Sequence, residues 1–135
     1  MYRNILLPIS FDEEHSAERV LQAAAALACE DAEVTLLHVM SPVPNYASSY
    51  FPKGFQDEAK ADIEASLQEM ASNLPNAIGV VSEGQPSKVI LNWINENTVD
   101  CVVMSSNKPG LHEFNLGSTA AYVIRHVRCT VHVAR

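Results

Sequence analysis

Four short runs rich in Val, Ile and Leu recur along the chain, each followed by a stretch in which apolar positions return about every 3.6 residues, and a fifth apolar run closes it. The first run, Ile5–Ile9, is apolar without alternation, the pattern of a parallel strand covered on both faces. Asp12 to Glu14 lead into Ala17, Val20, Leu21, Ala24, Leu27 and Ala28, which predict a first helix from His15 to Cys29 with acidic residues at its positive end. Val34–Met40 reads as the second strand, and Pro42 and Pro44 force a loop after it. Phe55, Ala59, Ile63, Leu67, Met70 and Leu74 share one stripe of a second helix that ends before Pro75. A weaker third strand, Ala77–Ser82, contains Gly79. Gly84-Gln85-Pro86 then opens a helix carrying Val89, Ile90, Trp93 and Ile94, with Pro86 in its first turn. Cys101–Met104 is again continuously apolar and feeds a polar loop from Ser105 to Leu116. Gly117-Ser118-Thr119 opens the last helix, whose buried side carries Ala120, Val123, Ile124 and Val127; it ends near His126 to Arg128, and Thr130–Val133 follows as the final strand.

This alternation predicts an α/β fold, a single open five-stranded parallel sheet with helices on both faces and right-handed crossovers. No repeat or composition break divides the chain, so residues 1–135 read as one domain, long enough to bury roughly 68% of its unfolded surface. Ligands of such sheets bind beyond the carboxyl ends of the central strands, where the strand order reverses. The first and fourth strands are the most apolar and hence central, which directs attention to the loops after Pro8 and Met104.

Composition narrows the function. Hydrophobic residues make up 47% and charged residues 19%, which excludes disordered and low-complexity classes. No apolar run reaches the ~20 residues of a membrane span, and no secretory leader is evident at the start, so the expectation is a cytoplasmic protein with no membrane partner. Sixteen acidic residues against nine basic ones, the basic ones scattered, disfavour a nucleic-acid partner. Cys29, Cys101 and Cys129 are odd in number and widely spaced, as expected of reduced structural thiols.

Two nucleotide-binding fingerprints are missing. Pro8-Ile9-Ser10-Phe11-Asp12-Glu13 holds none of the glycines of a dinucleotide site, and Lys108-Pro109-Gly110 does not make a P-loop. What remains is Ser105 to Thr119, between a buried strand and a helix. The N–H groups of Gly117, Ser118 and Thr119 would face outward at a helix start, making an anion cradle to which Lys108 adds a mobile charge. The competing reading is that Ser118 simply caps the last helix.

The opening Asn4-Ile5-Leu6-Leu7-Pro8, then Leu37-His38-Val39, Glu83-Gly84-Gln85-Pro86, and the ending from Leu116-Gly117-Ser118 through Arg125-His126, Cys129 and Val131-His132-Val133 resemble the universal stress protein family (UspA-like) over essentially the whole chain. The resemblance implies a Rossmann-like sheet of the adenine nucleotide alpha hydrolase type, with strand order 3-2-1-4-5. Many members wrap ATP phosphates with G-x-x-G, nine residues, then G-[ST]; here the segment reads Ser105-x-x-Lys108, eight residues, then Gly117-Ser118. That spacing and the Lys-Pro pair are most similar to the short F/G-type bacterial stress proteins. Ser10 stands where nucleotide-binding members place an aspartate, and Val39 stands where the backbone meets adenine. The resemblance therefore implies a nucleotide site of Pro8, Ser10, Val39, Ser105, Lys108, Gly117, Ser118 and Thr119, taking ATP with Mg2+. It also implies a homodimer paired through Val131, His132 and Val133 of the last strand, slow ATP hydrolysis or autophosphorylation at most, and a regulatory role in the stress response. The alternative is a stress protein that binds no nucleotide and acts through dimerisation and protein contacts.

Other constellations carry less. His126-x-x-Cys129-x-x-His132 has zinc-like spacing but spans a helix end, a turn and a strand, and no metal is expected there. His38 reads as a hydrogen-bonded core residue, His15 as a surface residue and Glu113 as a solvated loop charge. Tyr46, Tyr50 and Phe51 are equally a lid or partner contact and a self-packed loop.

Overall fold

The computed structural model describes residues 1–11, 16–42, 46, 50, 54–105 and 117–134. Its elements run β1 (Tyr2–Pro8), α1 (Ser16–Leu27), β2 (Ala28–Met40), α2 (Phe55–Ala71), β3 (Ala77–Glu83), α3 (Pro86–Glu96), β4 (Cys101–Ser105), α4 (Ser118–His126) and β5 (Thr130–Ala134). They form a five-stranded parallel sheet in the order β3-β2-β1-β4-β5, as the resemblance implies.

The period of two along each strand sorts side chains between two cores. Ile5, Leu7 and Ile9, Val34 and Leu36, and Cys101 and Val103 face one side, against Val20 and Ala24 of α1 and Leu67 and Ala71 of α2. Leu6, Leu37, Val102 and Met104 face the other, against Ile90 and Ile94 of α3 and Ala120 and Val123 of α4. Double coverage explains why Ile5–Leu7 of β1 and Cys101–Met104 of β4 are apolar without a break.

Several boundaries differ from the sequence reading: the first strand runs from Tyr2 to Pro8 rather than from Ile5 to Ile9, and the third, fourth and fifth each extend one residue further, to Glu83, Ser105 and Ala134. The first helix stops at Leu27, and Ala28 to Glu33 are already extended, with Tyr2 opposite Ala28 and Asn4 opposite Glu33 across an irregular register. Alanine and glutamate favour helix locally, but a neighbouring strand offers this segment a ladder that local propensity does not anticipate. In the third strand, Gly79 marks a close approach of α2 rather than a weakness: a Cβ there would lie 2.6 Å from Leu67 Cβ.

The far end of the central pair is locked by polar groups. Asp100 accepts hydrogen bonds from the Arg3 N–H (2.9 Å) and the Asn4 N–H (3.0 Å), and its own N–H donates to Asn4 O at 3.0 Å. The Asn4 amide donates to the carbonyls of Asn97 (2.6 Å) and Thr98 (3.3 Å). The Asn4 backbone therefore faces β4, whereas the Ile9 N–H donates to Leu37 O at 2.8 Å and so faces β2. By the same period of two, Pro8 faces β4, where it has no N–H to give. The registered β1–β4 pairs stop at Leu6–Val102, and the two strands part just where the strand order reverses.

Candidate functional site

Three segments lie at the carboxyl edge of the sheet. The first is the turn after β1, carrying Pro8, Ile9, Ser10 and Phe11. Its course is set by β2: the Ile9 N–H bonds Leu37 O, and the His38 Nδ1 lies 2.8 Å from Ile9 O. Since the carbonyl only accepts, Nδ1 carries the proton. The Phe11 ring stands edge-on to the His38 ring, with centroids 5.0 Å apart and planes at 61°. His38 is half-buried at the strand end, so the expected hydrogen-bonded histidine is present but tethers the turn rather than sitting within the core.

The second segment is the end of β2. Odd-numbered residues there direct their backbone groups toward β1, as Leu37 O does, and even-numbered ones toward β3, as Met40 O does in accepting from the Gly84 N–H at 3.0 Å. Val39 thus turns its N–H and carbonyl toward β1, but the β1 register ends at Pro8–Leu37. Gly84 holds the neighbouring turn at φ 141°, and a Cβ on it would lie 2.8 Å from Val89 Cγ2, so glycine is required there.

The third is the start of α4. Because β5 runs parallel to β4, the intervening helix must begin at the carboxyl edge. Gly117 occupies the N-cap position with φ −62° and ψ 155° and no side-chain cap, and Ser118 is the first helical residue, exposed. The expectation that Ser118 caps this helix therefore does not hold. Helical bonding begins with the Ala121 N–H donating to Gly117 O at 3.0 Å, leaving the N–H groups of Ser118, Thr119 and Ala120 ahead of it at the positive end of the helix dipole.

Pro8, Ser10, Val39, Ser105, Gly117, Ser118 and Thr119 all belong to these segments or to the end of β4. Lys108 lies outside the described residues, as do His15, Phe51 and Glu113. Tyr46 and Tyr50 are more than four-fifths exposed. The residues that sequence reasoning undervalued are His38 and Phe11; the signal was a polar ring at the carboxyl end of an apolar strand.

Of the zinc-like triplet, His126 is engaged within its own helix: it stacks on Tyr122 with centroids 4.0 Å apart, and its Nδ1 bonds Tyr122 O at 2.8 Å. Among the described residues, no group of three or more His, Cys, Asp or Glu is placed to hold a metal ion. All three cysteines are free thiols. Burial pushes the Cys101 thiol up to about 11, with the Asp100 charge and then Cys129 adding to it, and burial likewise raises Cys129. The folded chain thus keeps Cys101 protonated while the unfolded chain ionises it from about pH 9. This contribution to stability is complete below that pH and declines as pH rises toward about 11. Urea unfolding of the parent should weaken across that interval, and a Cys101→Ala variant, less stable at neutral pH, should show a shallower decline.

The sequence profile of the Universal stress protein family matches residues 1–135. The chain belongs to that family. It is 29% identical over 142 residues to Universal stress protein G of Escherichia coli O157:H7, covering 100% of both chains. The fold is similar to that of the solved universal stress protein UspA from Lactobacillus plantarum, with a TM-score of 0.75 and 25% identity over 99% of this chain and 98% of that one. Two more distant structures share the fold. One, from Archaeoglobus fulgidus, is in complex with dAMP (TM-score 0.70, 19% identity, 99% of this chain and 98% of that one). The other universal stress protein is in complex with cAMP (TM-score 0.68, 16% identity, 99% and 97%). Among the described residues, no helix is long and apolar enough to cross a membrane.

Proposed function

We propose that this universal stress protein binds an adenine nucleotide, ATP accompanied by Mg2+, in the crevice where β1 and β4 part, and works as a cytoplasmic regulatory module rather than a turnover enzyme. The observation that carries the reading is the start of α4. A helix N-terminus whose cap residue has no side chain presents N–H donors that no side-chain cap claims among the described residues, together with a positive dipole, a combination suited to phosphate. Ser118 and Thr119 add hydroxyls, Ser105 lies at the end of β4, and Lys108 supplies a point charge for the outer phosphates. At the other end of the crevice, Pro8, Ser10 and Val39 receive the nucleoside, with Val39 offering backbone donor and acceptor to the base edge. Ser10 contributes a single hydroxyl where a carboxylate would grip a sugar twice. The dAMP and cAMP complexes of related folds support the adenine class of ligand.

In the same reading a second copy of the chain pairs along β5. That strand is an edge of the sheet, with Val131 and Val133 half-buried and His132 exposed, and an uncovered edge favours strand pairing.

Thermal unfolding of protein stripped of nucleotide tests the site. Mg-ATP at 100 times its dissociation constant should stabilise the fold by about 2.7 kcal/mol, a shift of several degrees, with GTP giving less. No shift at millimolar ATP would overturn nucleotide binding and favour the reading in which the dimer acts through protein contacts alone.

A further inference from the structure

We propose that His38 is a positioning residue that stops the β1–β2 ladder one residue early and thereby keeps the Val39 N–H available to a ligand. The relevance to a base rests on the nucleotide site proposed above; the interruption of the ladder rests on this chain's own geometry.

In a parallel ladder, every second residue faces a given neighbour, donating its N–H to one residue of that strand and accepting, through its carbonyl, from the residue two further on. The register Pro8–Leu37 continues to Ile9–His38, and the first half of the pattern is present: the Ile9 N–H donates to Leu37 O at 2.8 Å. The second half would be the Val39 N–H donating to Ile9 O. Among the described residues that bond does not form. The carbonyl is taken instead by the His38 ring, whose Nδ1–H reaches it at 2.8 Å. A side chain has replaced a backbone donor at the last rung, and the backbone donor it displaced faces the crevice.

The substitution also settles the turn. Phe11, 43% exposed, meets the same imidazole edge-on at 5.0 Å. One ring thus holds the Ile9 carbonyl through its nitrogen and braces Phe11 through its face or edge, fixing both sides of the segment that carries Ser10. A side chain lacking a donor at the Nδ1 position removes that bond from Ile9 O near a strand end, and the N–H that the ladder register directs at it is that of Val39.

The proposal predicts an unusual sign. Losing a merely structural contact loosens its surroundings and speeds amide exchange. Replacing His38 by leucine, which keeps bulk but has no donor, should instead close the rung and slow exchange of the Val39 amide by about tenfold or more, measured by NMR on the full chain. The same variant should bind Mg-ATP about tenfold more weakly, the scale of one lost hydrogen bond. His38→Asn places an amide nitrogen near the position of Nδ1 and should restore both parental values, whereas His38→Gln, whose nitrogen lies further out, should not. Unchanged or faster Val39 exchange in His38→Leu, or failure of asparagine to rescue, would overturn the proposal. If the parent chain binds no nucleotide, the exchange comparison still decides the ladder stop, and only the nucleotide reading falls.

Discussion

Gly117→Asp folds at least as stably as the parent chain and loses its affinity for ATP. Aspartate is among the best N-cap residues, and Gly117 already has the extended φ and ψ of that position, so the substitution needs no backbone change. Its carboxylate accepts from the N–H groups that open α4 and sits at the positive end of the dipole, together worth about 0.5–1 kcal/mol to the fold. Those are the donors assigned here to phosphate. A fixed negative charge within about 4 Å of a phosphate oxygen, at an effective dielectric of about 20, opposes binding by about 4 kcal/mol before screening, so affinity should fall by about 100-fold or more. The two effects have opposite signs, which removes the usual ambiguity between a damaged fold and a damaged site. Calorimetric titration with Mg-ATP and a melting curve of the same preparation suffice. Retained affinity in a stabilised variant would mean that α4 does not hold the phosphates.

Gly79→Val produces the largest loss of stability expected from a single exposed-looking glycine. Local preference argues the other way, since valine favours a strand and glycine weakens one. The tertiary contact outweighs it: even a Cβ would lie 2.6 Å from Leu67 Cβ, 3.1 Å from the Leu67 carbonyl carbon and 3.4 Å from the Gln68 N. The obstacle is helix backbone and a Cβ rather than a flexible side-chain end, so α2 as a whole must move off the sheet. Overpacking of this kind costs about 3 kcal/mol, which lowers the melting temperature by about 10 °C in a domain of this size. Leu67→Ala retains the Cβ that obstructs, so adding it should deepen the loss rather than relieve it. A Gly79→Val chain melting at the parental temperature would show that α2 packs elsewhere.

Much of this molecule is legible without coordinates because its sheet is covered twice. A strand buried on both faces must be apolar at every position, and Ile5–Leu7 and Cys101–Met104 announce themselves as the centre for that reason alone. The helices are equally plain, since each buries one stripe, and the strand order follows once the sequence is matched to its family. Of the proposed site, the sequence alone marks Gly117 through Thr119, a glycine and two hydroxyls at a helix start, and the loop that follows Pro8.

The remainder depends on contacts between residues distant in the chain. No local pattern reveals that Gly79 lies under Leu67, that Ala28 pairs with Tyr2 instead of extending a helix, or that Asp100 bonds the N–H groups of Arg3 and Asn4. Nor does one reveal that the His38 ring takes the Ile9 carbonyl. Hydrophobic periodicity records how much of a side chain is hidden from water, a property each residue expresses by itself. Hydrogen-bond partners and steric clearances belong to pairs, and folding alone decides which residues become a pair.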